Sequence, residues 1–197
     1  MNEFAARELS PEENARIIKS AVTPRPIAWI STVDRNGIEN LAPFSSYNYV
    51  GSSTPVVVFN SPSESSGRMK DTARNALETE EFAVNVVTEA LMEEMDSTSA
   101  SLPPGESEFE FADLERAECR RISPPRVADA VVTMECTLYD AIEVYDKLMI
   151  LGDVEHYHVS DDVLIEGKID SRALDTVGRL GGPYYTVSDP VEFERQF

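Results

Sequence analysis

The sequence predicts a mainly β fold, a barrel or sandwich with helical additions. Three observations predict it. Most apolar residues fall in short β-branched or aromatic runs separated by Gly, Pro, Asn and Ser turns. Two long β-like runs, Ala130 to Val144 and Leu148 to Val159, meet at Tyr145-Asp146-Lys147. Helical patterns are few and short, and they do not alternate regularly with strands as a parallel βαβ sheet would require.

Taken in order, Ser10-Pro11-Glu12-Glu13 is a helix start: Ser10 can cap, Pro11 suits the first helical position, and Glu13 completes a capping box. That helix runs to about Ser20 and stops before Pro24. Arg25 lies between two prolines, and Pro26 to Val33 reads as a strand. Asp34-Arg35-Asn36-Gly37 turns the chain into Ile38 to Ala42. Val56-Val57-Val58-Phe59 has the length and β-branching of a buried strand. Asp71 to about Thr79 reads as a short helix, Phe82 to Val87 as a strand, and Thr88 to Met95 as a second short helix capped by Thr88. Ser97 to Glu110, polar and containing Pro103-Pro104-Gly105, is expected to be an exposed loop. Val163 to Ile165 reads as an edge strand. Asp170 to Leu180 is expected to hold a helical turn, ended by Gly181-Gly182-Pro183. No internal repeat and no linker divides the chain, so residues 1–197 read as one domain.

Composition excludes several function classes. Hydrophobic residues make up 42%, enough for a core, yet no apolar run approaches the roughly 20 residues of a membrane span. The N-terminus lacks a basic region followed by an apolar one, so no secretory signal is expected. Cys119 and Cys136 have no metal-type spacing and read as small buried hydrophobes in a reducing cytoplasm. The 36 acidic against 17 basic residues give a net charge of -19, and only four of the cations are lysines. Such a surface repels nucleic acid and anionic membranes. Its acids are spread along the chain, as in a salt-adapted protein.

The stretch the chain is organised around is Ile38 to Lys70: strand, polar loop, strand, polar loop. Its loops carry Ser45, Ser46, Asn48, Ser52, Ser53 and Thr54, then Asn60, Ser61, Ser63, Ser65, Ser66 and Gly67, and end at Arg68, Lys70, Asp71, Thr72 and Arg74. Hydroxyls and free backbone N–H groups beside cations and a helix start suit a phosphate. Ordinary strand connections have a similar composition, and the residues alone leave both readings open. Charge favours the phosphate, because Arg68, Lys70 and Arg74 cluster in an otherwise acidic chain and Arg25 can join them. Phe44, Tyr47, Asn48 and Tyr49 can flank a planar ring, so phosphate plus ring suggests a mononucleotide-like cofactor.

No dinucleotide fingerprint, P-loop, GxSxG or HExxH is present. His156 and His158 would share one strand face, but without an evident third ligand they read as ordinary strand histidines rather than a metal site. Glu78, Glu80 and Glu81 read as solvated surface, and Trp29 as core.

The ordered set TPRPIAWIST, NLAPFSSYN, TPVVVFNS, KDTARN, EFAVNVV and GRLGGPYY, spanning Thr23 to Tyr185, closely resembles the flavin reductase-like proteins with an FMN-binding split barrel, the group that includes flavoredoxins. The resemblance implies a Greek-key split barrel that forms a homodimer, with FMN in a groove at or near the subunit interface. It implies that Ala42, Pro43, Phe44, Ser45 and Ser46 line the flavin and its phosphate side, with Asn60 and Ser61 along the ribityl chain or ring edge. Lys70, Asp71 and Thr72 would hold the phosphate, and Tyr184 and Tyr185 would close over the site. The expected activity is an NAD(P)H-dependent flavin reductase passing electrons to free flavin, iron or a protein acceptor. An FMN-binding electron carrier or flavin-storage protein is the alternative. No side chain need act as an acid or base, because the cofactor carries the chemistry; His158 is a candidate for contacting substrate.

Overall fold

The computed structural model describes residues 1–67 and 69–194. Arg68, one of the cations singled out above, therefore lies outside the described residues. The first helix, α1 (Pro11–Ala21), is fixed at its start by the expected box: the Ser10 hydroxyl accepts the Glu13 N–H at 3.2 Å, and the Glu13 carboxylate accepts the Ser10 N–H at 2.8 Å. Next come β1 (Arg25–Pro26) and β2 (Ala28–Val33). The Asp34 carboxylate accepts the N–H groups of Asn36 and Ile38, both at 2.8 Å, and Gly37 takes φ 83°, which turns the chain into β3 (Glu39–Phe44). Then follow β4 (Tyr47–Gly51), β5 (Val56–Pro62), α2 (Asp71–Thr79) and β6 (Glu81–Val86). Beyond these lie α3 (Met92–Ser97), α4 (Glu108–Phe111), β7 (Arg116–Ala117) and β8 (Arg126–Val127). The long hairpin pairs β9 (Val132–Val144) with β10 (Lys147–Val159). The chain then forms β11 (Leu164–Ile165), β12 (Lys168–Ile169), β13 (Val177–Arg179) and β14 (Tyr185–Val187).

Seven of these strands form one antiparallel sheet in the order β3-β2-β6-β9-β10-β5-β4. Its two edge strands, β3 and β4, are consecutive in the chain and joined only by Ser45-Ser46. The sheet curls until β3 approaches β5, but among the described residues no ladder closes the gap. The result is the expected split barrel, with the serine turn bridging the split.

Alternation along the strands fills the interior. Ala28, Ile30, Val57, Phe59, Phe82, Val84, Cys136 and Ile150 meet inside, and α2 adds Ala73 and Ala76. Small residues let that helix sit close to the barrel. On β10, a Cβ at Gly152 would lie 2.3 Å from the Phe82 ring, so only glycine fits there. A second cluster covers the outer face of β2: Trp29, Leu41 and Val87 pack with Met95, Phe109, Leu114 and Val127. Asn85 staples this side. Its amide N–H groups donate to the Trp29 carbonyl (3.0 Å) and the Ser31 hydroxyl (3.3 Å), while its carbonyl accepts from the Val127 N–H (3.0 Å) and the Thr133 hydroxyl (3.1 Å).

Three expectations need correction. Ser97 to Glu110 is not an exposed loop throughout: Thr98, Ser107, Glu108 and Phe109 are buried, and residues from Glu108 onward form α4. The polar composition hid one apolar anchor, Phe109, and one carboxylate, Glu108, whose oxygen accepts the Leu41 N–H of edge strand β3 at 3.0 Å. Thr88 makes no side-chain cap; the stretch after it is a 3-10 turn followed by α3, and Thr88 bridges to Thr176 instead. Asp170 to Leu180 holds turns and β13 rather than a helical turn, because Val177 is drawn into the Trp29 cluster.

Candidate functional site

The site is built first from the turn that joins the barrel's two free edges. Ala42, Pro43 and Phe44 end β3, where a proline costs no ladder bond on the unpaired side. The Ser46 carbonyl accepts both the backbone and the side-chain N–H of Asn60, at 2.9 and 3.1 Å, which pins the turn onto β5. The Phe44 and Phe59 rings lie 5.0 Å apart beneath it.

Ser45 and Ser46 face a groove of about 690 Å³ whose other walls include Lys19, Arg25, Arg179 and Leu180. The Arg25 guanidinium donates to the carbonyls of Lys19 (2.5 Å), Val22 (2.9 Å) and Leu180 (3.1 Å), tying the end of α1 to the C-terminal segment. Burial and the nearby Arg179 charge both push its pKa down. The groove thus carries three cationic residues in an acidic chain. Sequence reading found Arg25 but not Lys19 or Arg179, because their approach is made only by the fold.

The end of β5 and the start of α2 form the second part. Ser61 is buried, and its hydroxyl has no hydrogen-bond partner among the described residues. The later serines are committed to the loop itself. Ser63 and Ser65 bond each other at 2.8 Å, Ser65 donates to Glu143 at 2.5 Å, and Ser66 donates to the Ser63 carbonyl at 2.6 Å. This folds the loop onto the β9–β10 hairpin. Lys70, exposed, precedes the first turn of α2, and no carboxylate pairs with it among the described residues. Asp71 pairs with Arg74, and both line a different cavity of about 640 Å³ together with Asn40 and Asn75. Arg25 and Arg74 therefore do not form one cluster. Thr72 is buried, and its hydroxyl accepts the Asn40 side-chain N–H at 2.9 Å.

The third part is C-terminal. Tyr184 is exposed. Tyr185 packs against the Trp29 cluster, donates from its hydroxyl to Asp96 at 2.5 Å, and has the Arg179 guanidinium 4.4 Å from its ring centre. The expected residues thus fall in three neighbourhoods, and among the described residues no one cavity gathers them all.

The histidines also resolve. His156 and His158 share a face of β10, with rings 5.0 Å apart. The fold brings Cys119 and Glu135 to His158, with ligand-type atoms within 4.8 Å of one another. Residue spacing carries no signal of that grouping. Glu135, fully buried, accepts the N–H groups of Arg120 (2.8 Å) and Arg121 (2.6 Å) and bonds the His158 ring nitrogen at 2.5 Å. Its carboxylate thus ties Arg120 and Arg121 to β10 of the barrel. Burial and the Glu135 charge push the Cys119 thiol up to about 12, so it is not a poised nucleophile.

The family profile of the flavin reductase like domain matches residues 20–173. The chain belongs to this family. A protein of Aquifex aeolicus (strain VF5) is 37% identical over 184 residues, covering 93% of this chain and 94% of its own. Nitrilotriacetate monooxygenase component B from Bacillus cereus superposes with a TM-score of 0.92 at 32% identity, covering 99% of this chain and 98% of its own. Pseudomonas fluorescens 2-nitrobenzoate 2-nitroreductase NbaA gives 0.87 at 30% identity, covering 98% and 96%. Among the described residues no helix of this family member is long and apolar enough to cross a membrane.

Proposed function

We propose that this protein is an FMN-binding oxidoreductase that uses NAD(P)H to reduce flavin and passes electrons to free flavin, iron or a protein acceptor. The observation that carries the reading is the Ser45-Ser46 turn across the split, beside a cation-lined groove, in a chain of the flavin reductase like family. The relatedness to a monooxygenase component and to a nitroreductase supports reductive rather than storage chemistry.

The residues fit such a cofactor. The buried Ser61 hydroxyl, unpartnered among the described residues, needs an acceptor, and a ribityl hydroxyl or ring carbonyl would supply one. Lys70, which pairs with no carboxylate among the described residues, can meet a phosphate at the start of α2. When bound, the flavin supplies the hydride and electron-transfer chemistry. This chain's residues position the ring at the Ser45-Ser46 turn and against Phe44, and the groove's cations offset the chain's negative charge where an anionic nucleotide approaches. The deciding experiment is anaerobic addition of NADH or NADPH to the flavin-loaded protein. Rapid bleaching of the flavin is expected; flavin that stays oxidised would reassign the protein as an electron carrier.

Lys70→Ala is expected to weaken FMN binding by roughly 1.5–3 kcal/mol, about one charge-assisted hydrogen bond. Riboflavin affinity should change little. Fluorescence titration with both ligands checks this, and an unchanged FMN affinity removes Lys70 from the site.

We further propose a homodimer. Tyr49 and Val50 on edge strand β4, with Tyr139, Ile142 and Val144 on β9, are exposed apolar side chains that a second copy would cover. Because each copy carries a net charge of -19, molar NaCl should raise both the dimer fraction and the melting temperature; the Debye length falls from about 10 Å at 0.1 M to about 3 Å at 1 M. Light scattering and thermal melts at fixed protein and FMN concentration test this. A flat or falling melting temperature would reject salt adaptation.

A further inference from the structure

We propose that a second pocket, at the Val159 end of β10, binds the phosphate group of a small molecule. It is separate from the site above. β10 starts at Lys147, which pairs with Pro62 just before the serine loop, and reaches His156 nine residues later. At about 3.3 Å per residue the two ends lie roughly 30 Å apart.

The pocket has a volume of about 510 Å³, and its walls include Arg120, Arg126, His156, His158 and Ser160. Arg35, Arg74, Arg116 and Arg172 each pair with a carboxylate. Arg120 and Arg126 pair with none among the described residues, although acids outnumber bases by two to one. The Arg126 side chain donates to the Ala128 carbonyl at 3.3 Å, but its Nε–H is buried with no acceptor among the described residues. A buried guanidinium N–H without a partner is costly, and a bound anion would satisfy it.

Glu135, which bonds His158 of the pocket wall, does not fill that role. Its oxygens are taken by the Arg120 and Arg121 N–H groups and by His158. At the rim, Ser160 donates to Asp162 at 3.3 Å, a negative charge that limits affinity without occupying the arginines. Donors arrive from the two arginines and from the imidazole face of β10. Three phosphate oxygens can use donors from several directions, whereas a carboxylate's two oxygens are met by a single guanidinium fork. The pocket leaves room for a ligand that carries the group on a larger body.

The test is calorimetric titration of FMN-saturated protein with inorganic pyrophosphate at constant ionic strength; FMN saturation removes the flavin site as a competitor. Saturable binding is expected. It should weaken roughly tenfold or more in Arg126→Gln and in Arg120→Gln, about one charge-assisted hydrogen bond each, and stay unchanged in Lys70→Ala. Arg120 is exposed, so its variant reports even if Arg126→Gln fails to fold. No saturable heat with the unsubstituted protein would overturn the proposal, as would an unchanged affinity in Arg120→Gln. Loss of binding in Lys70→Ala would move the anion to the start of α2 and overturn it equally. If the protein takes up no FMN, the same titrations run in a Lys70→Ala background keep this proposal separable from the flavin reading.

Discussion

Replacing Glu135 with alanine should destabilise the fold by about 3–5 kcal/mol, the scale of removing one partner from a buried, hydrogen-bonded charged group. Glu135 has no solvent exposure. Its carboxylate ends the Arg120 and Arg121 N–H groups and holds His158; without it, two backbone donors and a ring nitrogen lose their partner at once. Burial alone would raise the Glu135 pKa. The hydrogen bonds from Arg120, from His158 and from Arg121, with the His158 charge, outweigh burial and hold it below the ordinary 4.5. A depressed folded pKa means that the ionised carboxylate stabilises the fold, fully above the unfolded value. That stabilisation is lost as pH falls through the lower folded value. Urea unfolding of the unsubstituted protein and of Glu135→Gln should therefore differ when Glu135 is ionised, and the difference should shrink in more acid buffer. A difference that does not change with pH would show that the charge contributes nothing, and a loss under about 1 kcal/mol in Glu135→Ala would show that the 119–123 segment is held by other contacts.

The parts of this molecule set by near neighbours in sequence were legible. The Ser10–Glu13 box and the Asp34–Gly37 turn depend on side-chain to backbone bonds a few residues long, and the structure shows both; α2 also spans the expected Asp71 to Thr79. Trp29 was legible as core because a single aromatic in a β-branched strand has nowhere else to go. The fold's order was legible through the family motifs, which also marked the Ser45-Ser46 turn. Burial of Phe109 and Glu108 was not, since the segment reads as polar and its partner, Leu41, lies 67 residues away. Nor was the pairing of Arg25 with Leu180 across 155 residues, or the meeting of Cys119, Glu135 and His158. Composition also credited the serine loop with more free hydroxyls than it has: Ser63, Ser65 and Ser66 are spent on loop geometry, and Thr72 is spent on Asn40. Only the partners, which the fold supplies, reveal which hydroxyl is left over, and among these serines it is Ser61.

Trp29→Ala should cost about 3–5 kcal/mol, the range for emptying a buried aromatic site. Trp29 is completely buried, and it joins the outer face of β2 to Met95 of α3, Phe109 of α4 and Val177 of β13. Its indole N–H donates to the Thr98 hydroxyl at 2.9 Å, which in turn donates to the Met95 carbonyl at 2.8 Å. The substitution therefore removes packing and a hydrogen bond together. Trp29→Phe separates the two, because it keeps most of the volume and loses the bond; a cost of about 0.5–1.5 kcal/mol is expected for the bond, with a smaller packing loss added. The consequence reaches the candidate site through register. Trp29 stands opposite Pro43 on β3, the strand that delivers Ser45 and Ser46 to the split. A cavity behind β2 loosens β3, which among the described residues has no strand on its other side. FMN affinity should fall along with stability in Trp29→Ala and hold in Trp29→Phe. Trp29 is the single tryptophan, so unfolding of both variants is followed by circular dichroism rather than indole emission. A loss below about 1.5 kcal/mol in the alanine variant would mean that α3, α4 and β13 are held to the barrel by something other than this side chain.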